Sequence, residues 1–107
     1  MRGDFVTIAV QGDFGKPRPA LVIQADLFSD HSSITVLPLT SDLVDAPLLR
    51  VTVQPTEYNG LQKSSQVMVD KAMTIRREKM GPPFGRIDLD TLVEIERRLA
   101  LFVGIAK

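Results

Sequence analysis

Short apolar segments separated by turn residues are the feature of this sequence that most restricts its fold. Up to Ile75 these segments are no longer than seven residues, are rich in Val and Ile, and are interrupted by Gly, Pro, Asn, Asp and Ser. Such segments are typical of strands, and turn signals this frequent predict a small, strongly bent sheet or barrel. The predicted strands cover residues 5–10, 18–24, 34–39, 48–53, 66–70 and 73–75. The GPPFG sequence at residues 81–85 is predicted to close the β portion.

The spacing of apolar residues changes after Asp88. From there they recur every three or four positions, at Leu89, Leu92, Ile95, Leu99 and Phe102. This spacing predicts an amphipathic helix packed on the sheet, with Asp88 as its N-cap and an ion pair between Glu94 and Arg98 on its outer face. We therefore expect residues 1–107 to form one domain, mostly β with a C-terminal helix.

Composition excludes several classes of protein. The sequence has no cysteine, which rules out disulfides and thiolate metal sites. No stretch approaches the length of a membrane-spanning helix, and the N-terminus lacks the apolar region of a signal peptide, so we expect a cytoplasmic protein that does not contact membranes. The formal net charge is zero, but residues 63–86 contain six basic and two acidic side chains. That segment, of net charge +4, either faces phosphates or is simply a solvated surface.

Polar residues at predicted strand ends are the remaining candidates for a site. His31 is the single histidine, which makes a histidine-based metal site improbable, and we expect it in an exposed loop. Arg18 begins the second predicted strand, Thr40 and Ser41 end the third, and Asp70 ends the fifth. Strand ends often meet along one rim, and the planar guanidinium of arginine matches a phosphate. Each residue also has a purely structural interpretation, as a solvated or turn-forming side chain.

Several short motifs follow one another along the chain: RGD at residues 2–4, RPALVIQ at 18–24, LTS at 39–41, NGL at 59–61 and VDKAMTI at 69–75. In this order and spacing they resemble the MazF/PemK family of toxins from bacterial toxin–antitoxin systems. The resemblance implies an SH3-like barrel with a C-terminal helix, a homodimer, and a metal-independent endoribonuclease that cleaves single-stranded RNA. Because the RNA's own 2′-hydroxyl is the nucleophile in that family, no cofactor is expected.

The resemblance also implies roles for individual residues. Arg18 and Thr40 correspond to the family residues that contact the scissile phosphate, and they are the expected catalytic residues. Five further residues are expected to support catalysis or to bind RNA: Ser41, Asp70, Lys16, Lys71 and Arg76. The expected protein partner is a cognate antitoxin, whose disordered acidic and apolar tail would cover the RNA groove.

Two departures from the family pattern bear on the mechanism. The loop at residues 11–17 is shorter than usual and lacks a glutamate–glutamine pair, and Met68 stands where certain members have a catalytic arginine. A mechanism through that arginine is therefore not expected. Two alternatives stay open. The chain could be a CcdB-like gyrase poison, although such toxins use a C-terminal tryptophan and this sequence has none, or a family member that binds antitoxin or RNA without cleaving.

Overall fold

Seven antiparallel strands and one helix make up the computed structural model, which describes residues 1–9 and 16–106. The elements are β1 (Asp4–Ile8), β2 (Arg18–Val22), β3 (Ser33–Thr40), β4 (Arg50–Val53), β5 (Ser65–Met68), β6 (Met73–Arg76), β7 (Met80–Arg86) and α1 (Leu89–Phe102). The six predicted strands and the helix are all found, with ends that differ by a few residues. The predicted end of the first strand at Val10 and most of the loop that follows, residues 11–15, lie outside the described residues. No helix in the described ranges is long and apolar enough to cross a membrane.

The sheet is built around β3, its longest strand. Its neighbours run in the order β4-β5-β3-β2-β1-β7, and β6 pairs with the first half of β3, from Ser33 to Val36. β4 and β7 stand at the two ends of this order, and no pairing joins them among the described residues. The predicted mostly β fold with a C-terminal helix is confirmed, and its sheet remains open instead of closing into a barrel.

β2 is buried on both faces, as its unbroken apolar sequence predicts. Leu21 belongs to one apolar cluster, which also contains Phe5 of β1 and Ile95 of α1. Ala20 and Val22 point the other way, into a second cluster formed with residues of β1, β3 and β6. Successive side chains of a strand alternate between faces, so one strand anchors both clusters. The last three residues of β2 thereby anchor the strand, which carries Arg18 at its exposed first position.

The GPPFG sequence, predicted to close the β portion, is part of a seventh strand that the sequence analysis did not predict. β7 spans Met80–Arg86 and, among the described strands, pairs with β1 alone. Its register shifts between Phe5 and Val6 of β1, where Gly85 and Pro83 of β7 are the partners. Proline lacks an N–H to donate, which a sheet tolerates at an end strand or a bulge. β7 offers both, because it lies at the end of the sheet and its pairing is irregular.

The helix begins where the sequence predicts. The Asp88 carboxylate accepts hydrogen bonds from the Thr91 N–H at 2.9 Å and from the Thr91 hydroxyl at 2.8 Å, which confirms the N-cap. These bonds favour the ionised carboxylate and lower the pKa of Asp88. The predicted pair of Glu94 and Arg98 is also confirmed, at 2.7 Å.

The predicted apolar stripe of α1 is only partly buried. Leu92 and Ile95 are buried and Leu99 packs against the same cluster, whereas Leu89 and Phe102 are 72% and 52% exposed. Leu89 and Phe102 are the first and last residues of α1. The apolar stripe is therefore exposed to solvent at both ends of the helix.

Candidate functional site

A depression of about 710 Å³ opens at one end of the sheet. Its wall is built from the start of β2, the end of β3, the loop before β5, and β7. The lining residues are Thr7, Pro17, Arg18, Pro19, Leu39, Thr40, Ser41, Asp42, Gly60, Leu61, Gln62, Lys63, Ser65 and Phe84. Arg18, Thr40 and Ser41, which the sequence analysis selected, are thus brought together.

The strand register explains why Arg18 and Thr40 meet. β2 and β3 are antiparallel, and Ala20 stands opposite Pro38. Continuing this register by two residues places Arg18, at the start of β2, opposite Thr40, at the end of β3. Side chains directly opposite in an antiparallel pair lie on the same face, about 5 Å apart at Cβ. A strand start and a strand end can share a site in this way only when the two strands run in opposite directions.

Two prolines fix the backbone around Arg18. Pro17 and Pro19 flank it, and each proline ring restricts its own φ and the conformation of the residue before it. On the side of β1, Arg18 pairs with Ile8 and Pro19 with Thr7. The side chain of Arg18 is exposed. A solvent-facing guanidinium is therefore carried by a backbone that loses little conformational freedom when it folds.

The Thr40 hydroxyl has a defined orientation. Its Oγ1 accepts a hydrogen bond from the Asp42 N–H at 3.1 Å, and the residue is half-buried. A hydroxyl has one proton to donate and two lone pairs to accept with. Since the bond from Asp42 uses a lone pair, the proton of Thr40 is free to be donated to a ligand. The structural and the functional interpretations of this threonine are compatible.

The opposite wall is a loop held by Asn59. This side chain is 4% exposed, and its Oδ1 accepts hydrogen bonds from the N–H groups of Thr56 at 2.9 Å and Leu61 at 3.0 Å. Gly60 follows with a φ of +69°, in the left-handed region that favours glycine, so glycine suits this position of the turn. The loop then continues to Lys63, whose carbonyl accepts a hydrogen bond from the Ser65 hydroxyl at 2.9 Å.

The described lining has a net positive charge. Arg18 and Lys63 are its cations, and Asp42 is its single carboxylate. Within residues 1–9 and 16–106, no group of three or more acidic or histidine side chains is placed to hold a metal ion. His31 lies in an exposed bend between β2 and β3, as predicted. The depression is therefore suited to an anion, held by a guanidinium, an ammonium and hydroxyl donors.

Asp70 lies outside this depression, and the prediction that it ends a strand was wrong. β5 ends at Met68, and Asp70 sits in a 3₁₀ turn from Val69 to Lys71. Its carboxylate forms an ion pair with Arg50, and both side chains are more than four-fifths buried. The antiparallel pairing of β3 and β5 is the reason for its position. Thr40 stands opposite Gln66, near the start of β5, so the end of β5 points away from Thr40.

Three predicted RNA-binding residues are also absent from the described lining. Arg76 stands opposite Ser33 at the far end of β3, seven residues and about 23 Å along the strand from Thr40. Arg76 is paired with Glu78 at 3.4 Å, and Lys71 lies 3.9 Å from the Asp70 carboxylate. Lys16 is exposed and lies next to Pro17 of the lining. Of these three, Lys16 is thus the one adjacent to the depression.

Lys63 and Phe84 line the depression although the sequence analysis did not select them. Lys63 contributes to the basic segment of residues 63–86, but its position relative to Arg18 depends on the pairing of β5 with β3. Phe84 falls within the GPPFG sequence, which was not predicted to be a strand. The sequence shows an aromatic residue among glycines and prolines. Only the pairing of β7 with β1 shows that this residue lies at the depression.

Comparison with known proteins identifies the family. Residues 1–103 match the family of PemK-like, MazF-like toxins of type II toxin–antitoxin systems. The chain is 43% identical over 106 residues to the probable endoribonuclease MazF of Mycolicibacterium smegmatis, covering 98% of this chain and 97% of that one.

Solved structures share the fold. An endoribonuclease in complex with its cognate antitoxin, from a mycobacterial species, superposes with a TM-score of 0.83 at 20% identity, covering 100% of this chain and 97% of that one. A MazE–MazF structure from Deinococcus radiodurans gives a TM-score of 0.79 at 24% identity, covering 98% of this chain and 95% of that one. The family match and the identity to the M. smegmatis protein agree over nearly the whole chain, and this chain belongs to the PemK-like, MazF-like toxins of type II toxin–antitoxin systems.

Proposed function

We propose that this protein is a metal-independent endoribonuclease that cleaves single-stranded RNA, with Arg18 and Thr40 as its catalytic residues. The observation that carries this proposal is their cross-strand placement at the wall of one positively charged depression. Membership of the toxin family supports it, as does the similarity to the M. smegmatis protein, a probable endoribonuclease. We expect the protein to act in the cytoplasm, where mRNA is found.

The reaction uses a nucleophile that the substrate provides. The ribose 2′-oxygen attacks the adjacent phosphorus, the bond from phosphorus to the 5′-oxygen breaks, and the products are a 2′,3′-cyclic phosphate and a 5′-hydroxyl. The 2′-hydroxyl loses its proton and the departing 5′-oxygen gains one. Negative charge accumulates on the non-bridging oxygens in the transition state. The protein accelerates the reaction by holding the attacking and departing oxygens in line and by stabilising that charge.

Arg18 and Thr40 would divide the stabilisation of the phosphate. A guanidinium remains charged and presents parallel N–H groups to two phosphate oxygens. The Thr40 hydroxyl adds a further donor, since its oxygen already accepts from Asp42. Lys63 on the opposite wall supplies a mobile positive charge to the neighbouring RNA backbone. Ser41, exposed beside Thr40, is proposed as a supporting contact.

The first experiment tests the reaction class. Purified protein is incubated with a mixed-sequence single-stranded RNA in the presence of EDTA, and the new ends are identified by their response to polynucleotide kinase. We expect fragments with 5′-hydroxyl and cyclic phosphate ends, with no loss of rate on chelation. RNA that stays intact while the protein binds it would favour the non-catalytic alternative. Trapped complexes of gyrase and cleaved DNA would instead indicate a gyrase poison.

The second experiment tests the residues. Arg18→Ala should lower kcat/KM by at least about 100-fold, the usual cost of removing a donor to transition-state charge. Arg97→Ala is the matched control, because Arg97 is an arginine of α1 that is 75% exposed and is not among the described residues that line the depression. Thr40→Val should be strongly impaired and Thr40→Ser active, since serine retains the hydroxyl. If the two single variants, Arg18→Ala and Thr40→Val, both kept full activity, the assignment would be refuted.

We also propose a homodimer and a cognate antitoxin as partners. The structural neighbours include an endoribonuclease bound to its cognate antitoxin and a MazE–MazF structure, and the present chain exposes apolar side chains that suit an interface. Arg98 donates to the Pro47 carbonyl at 2.7 Å, which brings Leu48 close to the last turn of α1. Leu48, Leu101 and Phe102 are between 52% and 67% exposed. Light scattering should give twice the mass of one chain, and Phe102→Glu should reduce it if this patch is the interface.

A further inference from the structure

Phe84 is the one aromatic residue in the described lining of the depression. It is 37% exposed, and it shares the depression with Arg18, Thr40 and Lys63. An aromatic side chain at a protein surface loses the free energy of burial for its exposed part. The presence of a ring beside two cations and a hydroxyl is therefore informative about what the depression accepts.

A β-bulge directs Phe84 to this position. Phe5 of β1 stands opposite Gly85 and the next residue, Val6, stands opposite Pro83, so Phe84 is the additional residue of β7. A bulge leaves the extra residue unpaired and changes the direction of its side chain, and bulges are frequent next to active sites. In a regular strand, Phe84 would instead have occupied a paired position facing a residue of β1.

The ring is held from two sides. It stacks on Phe5, which is fully buried, with ring centroids 6.1 Å apart and planes 18° from parallel. The Asn59–Gly60 turn lies directly against it, because a Cβ on Gly60 would be 2.9 Å from Phe84 Cδ1. A Cβ on Gly85 would overlap the backbone of Asn59. These glycines let the turn press against β7, so Phe84 is fixed before any ligand arrives.

We propose that Phe84 is a base-stacking residue, on which a nucleobase next to the scissile phosphate of the RNA lies. This inference rests on the endoribonuclease proposed above and names the part of the substrate that its depression holds. Aromatic rings bind the faces of bases in single-stranded nucleic acid, while neighbouring cations contact the phosphates. Phe84 with Arg18 and Lys63 reproduces that combination within one depression. Because the ring is held in place beforehand, stacking costs the protein little ordering entropy.

Stacking on Phe84 would position the substrate for reaction. A base fixed on the ring limits rotation of its nucleotide and so helps to align the 2′-oxygen with the phosphate near Arg18 and Thr40. Phe84 would act on the base, whereas Arg18 and Thr40 act on the phosphate. Loss of the ring should therefore weaken RNA binding and lower the rate of cleavage. Arg18 and Lys63, which contact phosphates, should not restore either.

Fluorescence of 2-aminopurine tests the proposal without requiring cleavage. The probe is a random-sequence single-stranded RNA with one central 2-aminopurine and 2′-O-methyl sugars throughout, which removes the attacking hydroxyl. Stacking on an aromatic ring quenches 2-aminopurine. The wild type should quench the probe, and Phe84→Leu should abolish quenching and weaken binding by about 5- to 100-fold. Phe84→Trp should retain both, because it retains an aromatic face.

Tyr58 provides a matched control. It is an exposed aromatic residue, 78% exposed, in the same loop but in a separate depression of about 590 Å³ with Arg86 and Thr91. Tyr58→Leu should quench and bind as the wild type does. Thermal unfolding of each variant shows whether it folds, and if Phe84→Leu does not fold, Phe84→Trp alone decides, since it must still quench.

The outcomes separate this proposal from the proposed function. Unchanged quenching by Phe84→Leu, loss of quenching by Tyr58→Leu alone, or no quenching by the wild type would each overturn the stacking role. Quenching that depends on Phe84, in a protein that leaves ordinary RNA intact, would keep the stacking role and refute the endoribonuclease. Cleavage of ordinary RNA with full activity in Phe84→Leu would do the reverse.

Discussion

Removing the Asp70 carboxylate should destabilise the fold and leave the chemistry of the site unchanged. Asp70 is paired with Arg50, and the two side chains are only 17% and 15% exposed. Removing one member of a buried pair leaves the other charge without compensation, which costs about 3–5 kcal/mol when burial is complete. Because water still reaches both groups, we expect the lower end, about 3 kcal/mol. For a chain of this length, that lowers Tm by about 13 °C.

A double-mutant cycle measures the pair itself. Arg50→Ala, Asp70→Ala and the double variant are unfolded in urea, and their free energies of unfolding give the coupling between the two side chains. We expect a coupling free energy of about 2 kcal/mol between Arg50 and Asp70. The pair of Glu94 and Arg97 is the control, because it lies 3.6 Å apart with 48% and 75% exposure. Its coupling should stay below about 0.5 kcal/mol, as for other solvent-exposed pairs.

RNA cleavage by the same variants decides between a structural and a functional Asp70. Measured well below Tm, Asp70→Ala should cleave RNA at a rate close to that of the wild type. A coupling energy near zero would refute the reasoning from burial. A variant that is as stable as the wild type but does not cleave would show that Asp70 contacts RNA, as the family resemblance implies, even though it lies outside the described lining.

Three further predictions concern other parts of the molecule. Lys63→Ala should weaken RNA binding and reduce the slope of log K against log salt by about 0.7, as expected when one phosphate contact of a single strand is lost; an unchanged slope would remove Lys63 from the interface. Ile95→Ala should reduce the free energy of unfolding by about 2–5 kcal/mol, because Ile95 is fully buried between α1 and the sheet; urea unfolding measures it, and a loss below 1 kcal/mol would contradict this packing. Asp88→Ala should cost about 1 kcal/mol at neutral pH through loss of the N-cap. Since the pKa of Asp88 is lowered in the fold, its stabilisation is complete above its unfolded pKa and is lost as pH falls through the folded one. The difference between wild type and Asp88→Ala should thus be constant from about pH 5 to 8 and shrink below about pH 4, and a difference that grows in acid would contradict the assignment.

Local patterns predicted the elements better than they predicted the neighbours. The apolar segment of β2 and the spacing of Leu92 and Ile95 in α1 each reflect contacts that repeat every two to four residues, so the sequence records them directly. Asp88 as an N-cap and Gly60 as a turn residue are equally local. The pairing of strands is different, because it joins residues far apart in the chain and leaves no periodic signal. β7 was missed for this reason, since its prolines are tolerated through its position at the end of the sheet and its irregular pairing, both of which depend on the neighbouring strand.

The direction of each strand decides which of the sequence candidates share a site. Arg18 begins a strand and Thr40 ends one, and their strands are antiparallel neighbours, so they meet. Thr40 and Asp70 were each selected as the end of a predicted strand, and for the same antiparallel reason they separate, with Gln66 of β5 opposite Thr40 and its neighbour Ser65 lining the depression. Residues at strand ends are therefore good candidates for one shared site only when those ends lie at the same edge of the sheet. A rule based on strand ends does not find Phe84. It is the extra residue of the bulge in β7, and an unpaired residue has no partner on the neighbouring strand from which its position can be inferred.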